Sequence, residues 1–277
     1  MARPPFKSNP GKSFGKPPFK GGFKDRPRPK PVLTEAERKL TYDPENDLVY
    51  GIHPVVEALK NPKRKFVKLW ASENATARLR EELPELPVDP ETVHPRLLDH
   101  MLKSADAVHQ GVILEAKPLR QPNLDKIARD GLVVLLDQVT DPHNVGAVMR
   151  SCAAFNVSAL VVTARNAAET NSVFFKSASG AYEHVPYVTV TNLARAMEEL
   201  RGYGFQLVGL DSEAETSIDE ISDQRPLALV LGAEGKGLRQ LTRETADHMV
   251  RIDMPGAIKS LNVSIAAAVS LYALTHK

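Results

Sequence analysis

A single cysteine, Cys152, stands in a chain of 277 residues. It has no partner for an internal disulfide, and a multi-cysteine metal site is excluded. No cluster of metal-ligating residues is apparent, so no metal is expected. No apolar run approaches the roughly 18 residues that a membrane-spanning helix needs. The basic N-terminus lacks an apolar h-region, so it does not read as a secretory signal. The G-x-G-x-x-G fingerprint of a dinucleotide-binding unit is absent as well, which makes a nucleotide-dependent dehydrogenase a weak reading. These absences fit a globular protein of a reducing cytoplasm. The apolar share of 42% and charged share of 25% are ordinary for that class.

Charge is present but unevenly placed. Residues 1–30 hold nine Lys or Arg against Asp25 alone, a local charge of +8, while the remainder of the chain carries −6. The same thirty residues contain seven Pro and four Gly, with almost no aliphatic side chains. Residues 1–42 therefore read as a disordered basic tail. Its repeated Pro-Pro-Phe-Lys, at 4–7 and 17–20, combines cations for phosphates with rings for bases. The tail is either an RNA contact or only a solubilising segment.

Residues 48–118 read as a small α/β unit. Tyr50 to Leu59 makes a turn and a helical face, and Lys65–Ala71 alternates as a strand. Short helices are expected at 75–82 and 97–102, with a closing strand at Val112–Ala116. Residues 119–130, with Pro122, read as a linker. From 131 to 277 strands and helices alternate, the pattern of a mostly parallel sheet covered by helices. The stretch Leu261–Leu274 is either a buried helix or a subunit contact.

Three polar motifs follow apolar runs in this second region: Asp141 to Arg150, Gly232 to Leu238, and Met254 to Ser264. Loops beyond the carboxyl ends of strands are where open α/β sheets bind ligands. Each residue also has an ordinary explanation. Asn144 reads as an N-cap and Arg150 as a surface charge. Six residues apart, these two do not share a helix face. Glu234 could favour a following helix N-terminus. Ser260 could cap the last helix, although capping explains Asn262 poorly. Cys152 reads as a small buried hydrophobe.

Taken together and in order, Asn-x-Gly-Ala-x-x-Arg, Gly-Ala-Glu-Gly-x-Gly-Leu, and Met-Pro-Gly with Ser-Leu-Asn-Val-Ser resemble the SpoU (TrmH-like) family of RNA ribose 2′-O-methyltransferases. Tyr50-Gly51-Ile52-His53-Pro54-Val55 and His109-Gln110-Gly111-Val112 resemble the ends of that family's L30e-like substrate-binding domain, and Lys176 to Ala181 resembles a further family segment. The combination is most similar to the members that methylate a guanosine of bacterial 23S rRNA. The resemblance implies an α/β fold with a trefoil-knotted parallel sheet of five or six strands, the SPOUT methyltransferase domain, over 131–277. It implies S-adenosylmethionine as cofactor, RNA as partner, and a homodimer whose site draws on both subunits. Arg150, Asn144, Glu234, Ser260 and Asn262 become the expected catalytic set. Gly232, Ile252, Leu261, Met254, Gly237 and Val263 are the expected cofactor-binding positions. A tRNA ribose methyltransferase, or an RNA-binding assembly factor without catalysis, would share much of this pattern.

Overall fold

The structure is a computed structural model, and it describes residues 41–102, 107–168, 170–221 and 226–276. The basic tail read over 1–42 lies outside the described residues except for its last two positions.

The N-terminal unit runs β1 (Asp47–Tyr50), α1 (Ile52–Lys60), β2 (Phe66–Ala71), α2 (Glu73–Glu82), β3 (Pro90–Thr92), α3 (Pro95–Met101) and β4 (Val112–Ala116). Its four strands lie in the order β1-β4-β2-β3. Ser72 caps α2 by accepting from the Ala75 N–H, and Pro95 follows the cap residue of α3. These are the expected start signals for helices. The segment read as a linker contains a short 3-10 turn, Leu124–Lys126, and Leu124 and Ile127 are buried in the core of the following unit.

The second unit continues β5 (Leu132–Asp137), α4 (Pro142–Ala154), β6 (Ala159–Thr163), α5 (Ser172–Ala178), β7 (Tyr187–Val190), α6 (Leu193–Gly202), β8 (Gln206–Leu210), β9 (Thr216–Ser217), β10 (Leu227–Gly232), α7 (Gln240–Thr245), β11 (His248–Arg251) and α8 (Val263–Thr275). The strands form one sheet ordered β7-β6-β5-β10-β8-β11-β9, with every neighbouring pair parallel. The sheet has seven strands where five or six were expected; the edge strand β9 spans only two residues.

Both faces of this sheet are covered at its centre, so β5, β6 and β10 are apolar along almost their whole length. Leu132, Val134 and Leu136 of β5 join the cluster formed with α4, α5 and α8, while Val133 and Leu135 join the one formed with α6. β10 repeats the alternation, with Leu227, Leu229 and Leu231 on one side and Ala228 and Val230 on the other. Helices α4 and α5 cross closely. A Cβ on Gly146 would lie 2.7 Å from both the Phe174 carbonyl oxygen and the Ser177 Cβ.

The two units meet through a buried charge cluster. Arg64 donates to both carboxylate oxygens of Glu183, with Nη2 to Oε1 at 2.8 Å, and its Nη1 reaches Asp47 Oδ2 at 2.5 Å and the Lys117 carbonyl at 3.0 Å. The guanidinium also lies 5.6 Å from the Tyr182 ring centroid and 5.8 Å from that of Phe175. Its side chain has no solvent exposure. Asn61 Nδ2 completes the shell at 2.7 Å from Glu183 Oε2. Burial raises the Asp47 carboxyl above its ordinary value, against the opposing pull of Arg64.

Candidate functional site

Chain order reverses between β5 and β10. From β5 the chain moves outward to β6 and β7, then returns to the other side. Asp137 and Gly232, the last residues of these two strands, are register partners, so the first two motifs leave the sheet side by side. Such a switch point is where parallel α/β sheets place ligands.

The loops are braced to one another by side chains. Fully buried Asp137 accepts from the Arg239 backbone N–H at 3.0 Å and from its Nε at 2.7 Å, which ties the end of β5 to the second loop. Glu234 Oε1 accepts from the Val263 N–H at 3.1 Å, which ties the second loop to the first residue of α8. Asn262 Nδ2 donates to Asn144 Oδ1 at 3.0 Å, which ties the third loop to the first.

Two capping expectations are corrected by this geometry. The cap of α4 is Asp141, which accepts from the His143 N–H ahead of Pro142, so Asn144 lies inside the first turn with its side chain free for Asn262. The cap of α8 is Asn262 rather than Ser260; its Oδ1 accepts from the Ser264 N–H at 2.9 Å. Glu234 does act at a helix N-terminus, but at that of α8.

A cleft of about 350 Å³ opens between the second and third loops and the end of β8. All six positions expected to hold a cofactor, Gly232, Gly237, Ile252, Met254, Leu261 and Val263, line it, together with Glu234 and Ser260. A Cβ at Gly232 would collide with the backbone of Gly237 and Leu238, so only glycine permits this loop to fold back on the strand end. Gly235 and Gly237 follow at φ 73° and 64°. Asp211, Ser212 and Arg243 also line the cleft, and Arg243 is ion-paired with Asp211. Sequence reading missed these three. The signal was available for Asp211, which ends the apolar run of β8 just as the three motifs end theirs.

Arg150 stands apart from this cleft. It is exposed on α4 and lines a second cleft with Tyr50, His143 and Lys176. One chain thus brings Asn144, Asn262, Glu234 and Ser260 to the loop cluster but leaves Arg150 outside it. Helix α8 presents an exposed apolar surface. It is apolar on nearly every side, and Ile265, Val269 and Tyr272, at 52%, 39% and 59% exposure, form one stripe. Tyr272 stacks on His276 at 4.3 Å and meets Phe155 edge-on. No helix among the described residues is long and apolar enough to cross a membrane.

Residues 131–272 match the model of the SpoU rRNA Methylase family, and residues 48–122 match that of the RNA 2′-O ribose methyltransferase substrate binding family. A 23S rRNA (guanosine-2′-O-)-methyltransferase from Vibrio cholerae is 40% identical, over 82% of this chain and 95% of its own length. One from Pseudomonas aeruginosa is 37% identical, over 83% and 96%. Among solved structures, the SpoU methyltransferase AviRb from Streptomyces viridochromogenes, in complex with the cofactor AdoMet, superposes with a TM-score of 0.71 at 26% identity, covering 83% of this chain and 89% of that one. The chain belongs to the SpoU rRNA methylase family.

Proposed function

We propose that this protein transfers a methyl group from S-adenosylmethionine to a ribose 2′-hydroxyl of RNA, at a guanosine of 23S rRNA. The observation that carries the reading is one cleft lined by the second and third loops and the end of β8, braced by Glu234–Val263 and joined to the first loop through Asn262–Asn144. The rRNA target rests on the relatives named for it and on the attached substrate-binding unit. The C-terminal threading of a trefoil knot belongs to the same reading.

The cleft suits S-adenosylmethionine. Apolar Leu231, Ile252, Leu261 and Val263 line it beside the glycine-rich second loop, and the cradle at Gly232 has no room for a Cβ. When bound, the cofactor supplies an electrophilic methyl on a sulfonium. The chain's residues then have to hold the 2′-hydroxyl in line and stabilise the negative charge that develops on its oxygen. Arg150 is the group that meets that charge or the phosphate beside it. A guanidinium stays protonated in proteins, so it acts electrostatically and not as a base. One oxygen of Glu234 is committed to the α8 backbone, which makes it a brace for the loops. Asn144 and Asn262 hold the first and third loops in register.

Because Arg150 lies outside the cofactor cleft of its own chain, the proposed enzyme is a homodimer, with Arg150 of one protomer serving the cofactor of the other. The apolar stripe of α8 supports a second copy as its cover.

The test is transfer of radiolabelled methyl to unmethylated, deproteinised 23S rRNA and, separately, to bulk tRNA. Label on an rRNA ribose is expected, with Arg150→Ala lowering turnover on the order of 10²–10³-fold. Label in tRNA alone overturns the substrate. Cofactor binding without transfer to either RNA points to an assembling ribosomal particle, and no cofactor binding overturns the enzymatic reading.

A further inference from the structure

We propose that Lys176 and Arg150 together hold one backbone phosphate of the RNA, in the cleft between the N-terminal unit and the catalytic unit. This inference rests on the RNA-methyltransferase reading and adds a second cation to it, Lys176, as a substrate-binding residue.

The cleft measures about 390 Å³. His143, Ala147 and Arg150 supply one face of α4, since their spacing of four and three residues repeats the helical turn. Lys176 comes from α5, and Tyr50 from the end of β1 in the other unit. No acidic side chain lines the space. Among the described residues no carboxylate forms an ion pair with Arg150 or Lys176, so neither cation is already neutralised.

Lys176 is held in place. Its ammonium lies 6.0 Å from the Tyr50 ring centroid. A Cβ on Gly51 would stand 3.0 Å from that nitrogen, so the glycine turn between β1 and α1 leaves room for the lysine head. Gln110 closes the same corner by accepting from the Ile52 N–H at 2.9 Å. Burial lowers the Lys176 ammonium from its ordinary value, and no neighbouring charge opposes the shift. A partly desolvated cation without a counter-charge is unfavourable unless something supplies one. A phosphate does so, and it accepts charge-assisted hydrogen bonds from a guanidinium and an ammonium together.

The structural alternative is that Lys176 only packs against Tyr50, and the experiment separates the two. The full-length protein, Lys176→Gln and Lys176→Arg are compared for binding to a 23S rRNA transcript across a salt series. S-adenosylmethionine affinity and thermal stability are measured alongside. Lys176→Gln is expected to weaken RNA binding about tenfold, equivalent to one charge-assisted hydrogen bond. It should also reduce the slope of log K against log salt by about one. Lys176→Arg should restore both, with cofactor affinity and stability unchanged throughout. An unchanged slope in Lys176→Gln, or an equal defect in both variants, overturns the phosphate site. If Lys176→Gln shows the predicted loss of slope relative to the wild type but the wild type transfers no methyl, the site stands and the enzymatic reading fails. A wild type that does not bind RNA overturns both.

Discussion

Asn262 performs two tasks with one amide. Its oxygen caps α8, and its nitrogen reaches Asn144 across the two motif loops. The tasks separate by mutation. Asn262→Ala should cost about 1 kcal/mol of stability through the lost cap, and turnover as well. Asn144→Ala leaves that cap intact, so turnover should fall with a smaller change in the thermal midpoint. Equal stability losses in the two variants would count against this division. The sequence suggested Ser260 as the cap of α8 and left Asn262 unexplained, and it did not show that Asn144 was the partner of Asn262, 118 residues away. The true cap of α4 was legible in Asp141-Pro142, because proline favours the first helical position. Cys152 is fully buried, and burial pushes its thiol up. A thiol reagent should therefore find no reactive cysteine in the native protein and one after unfolding.

At the level of elements, α8 explains why Leu261–Leu274 showed no decisive period. A helix packed on α4 and β10 along one side, with an apolar stripe along the other, has no polar face to reveal its turn. If that stripe is the dimer contact, Ile265→Asp should yield monomers in sedimentation velocity, with loss of methyl transfer and retention of the fold. The α4–α5 crossing makes a different demand. The motif glycine Gly146 leaves no space for a methyl group, so Gly146→Ala should destabilise by about 1–3 kcal/mol through overpacking, read as a lower denaturation midpoint. The strands beneath these helices were legible because fully covered parallel strands are continuous apolar runs. The short β1 and β3 were not; Asp47–Tyr50 and Pro90–Thr92 carry no such run.

For the whole molecule, the cluster of Arg64, Asp47 and Glu183 decides how the two units are joined. Nothing local announced it, since Arg64 and Glu183 are separated by 119 positions and each reads as a surface charge. Glu183 has a side chain only 2% exposed. Glu183→Gln should therefore cost roughly 3 kcal/mol or more by stripping a buried guanidinium of its main counter-charge, and calorimetry should show the loss. A surface pair would cost far less. The cluster has a consequence for how a target is chosen. A guanidinium gripped from both units resists swinging of the N-terminal sheet. If that sheet holds the RNA as proposed, the two units would act as a caliper: the feature held by one jaw and the nucleotide presented to the other would lie a set span apart, and the site of modification would be chosen by length as well as by sequence.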